Sequence, residues 1–175
     1  MCRLLLVPLA ALATAALLGR TPASTGQQVR VVSIGDGDTI GVQQGSRRLT
    51  IRLACIDAPE MAQRPYGPKA REYLRLRLPI GRSVTLKIQT TDRYGRTVAE
   101  VFSDINVNLA LVEDGQAFAY RKYLAKCDAR EYLRAEERAR RSRFGVWRVP
   151  GGIIRPWDFR SGRRSSVRPD GVRTP

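Results

Sequence analysis

At 175 residues the chain has length for one compact domain with a real core and little more. It carries 31 Lys and Arg against 16 Asp and Glu, a formal net charge of +15 at pH 7, and such a surplus favours polyanionic partners such as nucleic acid. Histidine is absent, which excludes imidazole acids and bases, Ser/His and Cys/His nucleophile pairs and His-ligated zinc, leaving catalysis to carboxylates, arginines, tyrosines or a metal.

The chain opens with a short basic start at Arg3, an apolar run over 4–18 and small polar residues after it. That run is shorter than the roughly 20 residues a membrane span needs, so 1–23 reads as a secretory signal cut near Ala23, with an uncleaved anchor as the alternative. The mature chain is then expected to be secreted or periplasmic. Cleavage removes Cys2 and leaves Cys55 and Cys127, a pair that sequence assigns equally to one disulfide or to two buried thiols.

Alternating apolar residues then predict strands over 29–34, 39–42, 49–56, 84–88 and 98–102, with hairpin tips at Gly45-Ser46 and Tyr94-Gly95. In the third strand Ile51, Leu53 and Cys55 share one face, so Arg52 points the other way. A first helix opens at Gly67-Pro68, with proline at the first helical position, and ends at Pro79. A second runs from an Asn106 cap to Gly115, burying Val107, Ala110 and Leu111. A third, over 130–143, carries Tyr132, Leu133, Glu136 and Ala139 on one face. A carboxylate there reads as a hydrogen-bonded brace, because buried charge must be paired.

Five short strands with a helix between the third and fourth predict an α+β domain over 28–148, a small five-stranded Greek-key barrel of OB-fold type with three helices. Beyond it, 149–160 offers Ile153, Ile154, Trp157 and Phe159 as anchors of a docked extension. The stretch 161–175 lacks core formers and reads as a basic disordered tail. Such a tail is more often a solvated end, though Arg163, Arg164, Arg168 and Arg173, with Arg160 before them, could serve as an accessory contact to an anionic polymer or lipid surface.

The chemistry concentrates in two places. Asp38 sits in GDGDT, where Gly35 and Gly37 permit an irregular backbone between two strands. Asp57 and Glu60 flank Ala58-Pro59 where the third strand stops, and Pro59 keeps Ala58 extended so that both acids leave the strand end on a stiff path. An aspartate in a glycine-rich turn is by itself an ordinary cap or Asx-turn. If the barrel brings Asp38 beside Asp57, however, two hard oxygen ligands converge, and water with a backbone carbonyl can complete a calcium-like shell. Asp36, one glycine before it, reads as turn-forming. Arg52, and Arg96 in TDRYGRTVAEV, add planar cations suited to phosphate oxygens. Cation ligands, phosphate clamps and a spare carboxylate are the parts that hydrolyse a phosphodiester.

The order GDGDT, RLACIDAPE, YG with Pro68, DRYGR, EDGQA, EERAR at 136–140 and GVW at 145–147 resembles the staphylococcal-nuclease-like (thermonuclease) family over nearly all of 29–147. PWDFR further on is similar to an extension found in some bacterial members. The resemblance implies Asp38 and Asp57 as calcium carboxylates, Glu60 as the water-activating base, and Arg52 and Arg96 as the phosphate clamp. It also implies Tyr94 as a contact to the bound nucleotide, with a similar role at Tyr120 or Tyr123. Two departures stand out. Ala58 replaces a threonine, which matters little if that position acts through its main-chain oxygen, and the stretch 61–66 is shorter by several residues.

The resulting expectation is a calcium-dependent nuclease acting on DNA and RNA with little base preference. It is expected to be monomeric, without a protein partner and without stable membrane insertion once the leader is cut. A non-catalytic OB module binding nucleic acid is the alternative, although such a module would be expected to have lost an acid or a clamp arginine. A cationic surface-associated protein is the third class.

Overall fold

Alternating burial drives the central sheet. In β1 (Gln27–Ile34), β2 (Thr39–Gln44) and β3 (Arg47–Leu53), Val29, Val31, Ile40, Val42, Ile51 and Leu53 point inward, while the residues between them face outward. A computed structural model describes residues 26–162; the expected signal or anchor at 1–23, Cys2 and the tail beyond Gly162 lie outside the described residues. After β4 (Ile56–Asp57) and α1 (Tyr66–Arg77), β5 (Ser83–Thr91) and β6 (Thr97–Phe102) return to the sheet. The strands close a barrel in the order β1-β2-β3-β6-β5, with β5 paired back onto β1 and β3 running parallel to β6. This is the expected five-stranded α+β barrel of OB type.

Its interior holds Val84, Leu86, Ala99 and Val101, and helices close it: Ala70 and Leu74 of α1, Leu111 of α2 (Val107–Glu113), Tyr132 and Ala135 of α3 (Ala129–Arg141). Fully burying each Val, Leu or Ile contributes about 1.5–3 kcal/mol. The Asn106 side chain caps α2 by accepting from the Leu109 N–H at 3.2 Å, and Asp128 caps α3 by accepting from Glu131 N–H at 3.1 Å. Glu136 braces α3 as expected, accepting from Ala119 N–H at 3.1 Å and Arg121 Nη2 at 2.6 Å.

Several expectations are corrected. The third strand stops at Leu53, and Ala54-Cys55 form a turn with Cys55 at φ 65°, a left-handed conformation unusual outside glycine. The buried Asn108 holds that turn: its amide donates to Ala54 O at 2.9 Å and Ala99 O at 3.1 Å and accepts from Val101 N–H at 2.9 Å. Ile56-Asp57 then form their own short strand against β7 (Phe118–Ala119). Helix α1 begins at Tyr66, so Pro68 is its third residue, still in the first turn, where a missing N–H costs nothing. Leu133 is exposed, because the buried positions of α3 are Tyr132, Ala135, Glu136 and Ala139, a stripe that passes it by.

A fourth short helix, α4 (Pro156–Arg160), follows the expected three. Ile153 and Trp157 pack against the cluster of Phe118, Ala139, Val146 and Trp147, and the Arg155 guanidinium lies 4.3 Å from the Phe118 ring and 4.7 Å from that of Trp147. Cys55 and Cys127 form a disulfide with their Cα atoms 6.5 Å apart.

Candidate active site

Asp38, from the loop before β2, and Asp57, the last residue of β4, meet at one guanidinium. The loop between β1 and β2 approaches so closely that a Cβ on Gly37 would lie 2.7 Å from the Ala58 Cβ and 2.8 Å from the Ala70 Cβ. Asp36 forms the expected turn, its Oδ1 accepting from Asp38 N–H at 3.0 Å. Asp38 is then tied to both ends of the strand break: its carbonyl accepts from Leu53 N–H at 2.8 Å and its Oδ2 from Ala58 N–H at 2.7 Å.

Arg52 lies opposite Thr39 in the β2–β3 register, on the outer face of the barrel. Its Nη2 is 2.7 Å from Asp57 Oδ1 and 3.0 Å from Asp38 Oδ2. Its Nη1 donates to Leu53 O at 2.8 Å and to Ile56 O at 3.2 Å. The fork therefore holds the two acids together and caps the turn that carries them. Burial pushes the Asp38 carboxyl up to about 7, against the attraction of Arg52; burial likewise raises Asp57, against a hydrogen bond from Arg160 and the charge of Arg52.

Glu60 follows Pro59 on a loop pinned against α1. Its N–H donates to Gln63 Oε1 at 2.9 Å, and its carbonyl accepts from Gln63 N–H at 2.8 Å. Gln63 Nε2 donates to Ile154 O at 2.8 Å, joining this loop to the C-terminal extension. The Glu60 side chain reaches Arg160, whose Nη1 donates to Glu60 Oε1 at 2.5 Å. The same guanidinium donates to both oxygens of Asp57, at 3.2 Å from Nη1 and 2.8 Å from Nη2.

Arg96 stands at the end of the β5–β6 hairpin, ion-paired to Asp92 at 2.8 Å. Asp92 N–H donates to Arg96 O, which extends the ladder one pair beyond Thr91 and Thr97. Arg52 pairs with Val98 in the parallel ladder, and Arg96 lies two residues before Val98, just outside β6. Tyr94, at the hairpin tip, is exposed, with the Arg93 and Arg96 guanidiniums 4.7 and 5.5 Å from its ring centroid. Tyr120 is covered: the Trp157 ring stacks on it at 4.9 Å with an interplanar angle of 4°, and Tyr123 meets it edge-on at 4.8 Å.

The structure thus brings Asp38, Asp57, Arg52 and Glu60 into one cluster, sets Arg96 and Tyr94 on the neighbouring hairpin, and turns Tyr120 toward α4. Among the described residues no group of three or more His, Cys, Asp or Glu side chains converges as a ready-made metal site. Asp38 and Asp57 are nevertheless hard oxygen donors on a single Nη2, and their chemistry fits a calcium-like cation completed by a carbonyl and water. Two residues escaped sequence reasoning. Gln63 carries no motif, and Arg160 was assigned to a solvated tail although it sits one helical turn beyond the anchoring Trp157.

A family model described as staphylococcal nuclease homologue matches residues 50–149. The chain is similar to Protein ParB of Escherichia coli, 39% identical over 171 residues that cover 92% of this chain and 93% of that protein. It is similar to a micrococcal nuclease of Shigella flexneri, 36% identical over 165 residues covering 89% and 92%. An uncharacterized endonuclease of Escherichia coli O157:H7 is 35% identical over 133 residues, 75% of this chain and 83% of its own.

Proposed function

Because the chain belongs to the staphylococcal nuclease family and is an endonuclease hydrolysing phosphodiester bonds of nucleic acid, we propose that it is a secreted or periplasmic, calcium-dependent enzyme. On this reading it cuts DNA and RNA as a monomer, with low sequence specificity. The observation that carries it is the sharing of Arg52 Nη2 by two buried carboxylates, one from the loop before β2 and one from β4, with a third carboxylate, Glu60, joined to Asp57 through Arg160. The Cys55–Cys127 disulfide supports export, since such bonds persist in oxidising compartments.

Asp38 and Asp57 would hold the cation, with the main-chain oxygen of Ala58 and water completing an oxygen shell. A calcium ion held there would supply charge neutralisation for a phosphate and a polarised water. Glu60 accepts a proton from that water as its oxygen bonds to phosphorus and the opposite P–O bond breaks; a base so placed contributes about 10²–10⁴-fold. Arg52 keeps the acids together. With both Nη groups so engaged, Arg52 has its Nε–H left to join Arg96 in donating charge-assisted hydrogen bonds to phosphate oxygens, strongest when the five-coordinate phosphorus bears extra negative charge. None of these groups reads a base edge, so cleavage follows the backbone rather than the sequence. The exposed ring of Tyr94 offers a stacking face to an unpaired base, favouring single-stranded or frayed substrate.

Digestion of plasmid and RNA with calcium, with a chelator, and with Glu60→Gln and Arg96→Ala tests this. Calcium-dependent cleavage of both substrates, strongly reduced in each variant and inhibited by salt, is expected. Equal cleavage in chelator would remove the calcium requirement; tight binding without cleavage would make the chain a binding module.

A further inference from the structure

The last residue of α4 lies outside the residues matched by the nuclease family model, yet it makes the shortest contact in the acidic cluster. Arg160 reaches Asp57 across a sequence separation of 103 residues and Glu60 across 100. Asp57 has no solvent exposure, and both its oxygens are taken: Oδ1 by Arg52 Nη2 and Arg160 Nη1, Oδ2 by Arg160 Nη2. Arg52 alone already links Asp57 to Asp38 and to the backbone of the turn. The second guanidinium therefore occupies lone pairs that a hard cation held by Asp57 would need.

A calcium ion binds carboxylate oxygens at about 2.3–2.6 Å and uses the same lone pairs that a guanidinium occupies. Three guanidinium N–H groups already fill most of the roughly four lone-pair sites of Asp57, so an ion at bonding distance from Oδ2 competes with Arg160 for the same electron pairs. We propose that Arg160 is an internal counter-cation of the metal site: it occupies the oxygens of Asp57 that a calcium ion held with Asp38 would use, and it must release Asp57 when calcium binds. Arg160 is thus a positioning residue that sets metal affinity through Asp57 and Glu60. This rests on the calcium-dependent reading of the site.

The placement of α4 makes the exchange feasible. The helix is anchored by Trp157 on Tyr120 and by the Gln63 hydrogen bond to Ile154, neither of which involves the Arg160 side chain. The guanidinium, 44% exposed, sits at the free end of a flexible stem and can leave Asp57 while the helix stays docked.

Calcium binding to the metal-free full chain, measured by isothermal titration calorimetry, tests the proposal on the wild type, Arg160→Gln and Arg160→Lys, with melting temperatures as a check on folding. Removing a charge-assisted competitor should tighten calcium binding in Arg160→Gln by about tenfold. Arg160→Lys, which keeps the charge but loses the bidentate fork, should fall between. Equal or weaker calcium binding by a folded Arg160→Gln overturns the role of Arg160 and leaves the calcium reading standing. Absence of calcium binding in all three proteins overturns both.

Discussion

A Cβ on Gly67 would lie 2.0 Å from the carbonyl oxygen of Glu60, so the first turn of α1 rests directly on the backbone that carries the acid. This contact sets where Glu60 can be. Gly67→Ala forces the loop or the helix to move, at a cost of about 1–3 kcal/mol typical of overpacking. If Glu60 is the base proposed above, turnover should fall further than that loss of stability explains, because a small displacement of a general base is expensive. Steady-state kinetics beside urea unfolding checks this; a variant with lowered stability and unaltered kcat would mean that Glu60 does not depend on the contact.

Arg52 is expected to matter for folding as much as for chemistry. Arg52→Ala takes the counter-charge from buried Asp38 and a donor from two carbonyls, while Asp57 keeps Arg160, and breaking a buried ion pair from one side costs about 3–5 kcal/mol. Arg52→Lys keeps a charge but cannot serve all four acceptors, so it should be destabilised less and remain nearly inactive. Urea midpoints in calcium-free buffer, ranked wild type, lysine, alanine, are the expected outcome.

Asn108 controls the site from a distance. Asn108→Ala leaves Val101 N–H and the carbonyls of Ala54 and Ala99 without a side-chain partner, at about 1–3 kcal/mol for each group left unsatisfied. Asn108→Asp should not rescue it, since a carboxylate presents acceptors to both carbonyls. Thermal unfolding compares the two, and a stable aspartate variant would contradict this account of the turn.

The disulfide between Cys55 and Cys127 spans a sequence separation of 72 residues, and the chain-entropy model assigns such a loop about 4 kcal/mol. Changing both residues to serine should lower the melting temperature and raise the rate of proteolysis. On non-reduced protein neither cysteine should react with a thiol reagent; labelling at either position under native conditions would show that the bond is absent.

Much of this was legible from residue order. Period-two alternation in VRVVSI and TIGVQQ marks barrel strands because each face of a strand meets a different environment. Gly45 and Gly95 mark hairpin tips because their φ angles, 55° and 77°, suit glycine best. The strand break at Ala54-Cys55 was not legible. The apolar pattern runs straight through it, and it is Asn108, fifty-odd residues away, that holds the turn. Leu133 was misplaced for a related reason: an apolar residue next to a buried stripe looks the same in sequence as one inside it.

The sequence by itself determined which chemistry is available: no imidazole, three acids and two arginines at strand ends, and a composition that favours a polyanion. Local periodicity and turn preference reach a few residues along the chain, and the barrel and its helices follow from them. Only the tertiary structure decided that one guanidinium joins Asp38 to Asp57, that Cys55 meets Cys127, that Trp157 covers Tyr120 and that Arg160 enters the acidic cluster. Each of these joins residues far apart in sequence, and their meeting is set by how helices and loops pack on the closed barrel, which no short-range pattern encodes.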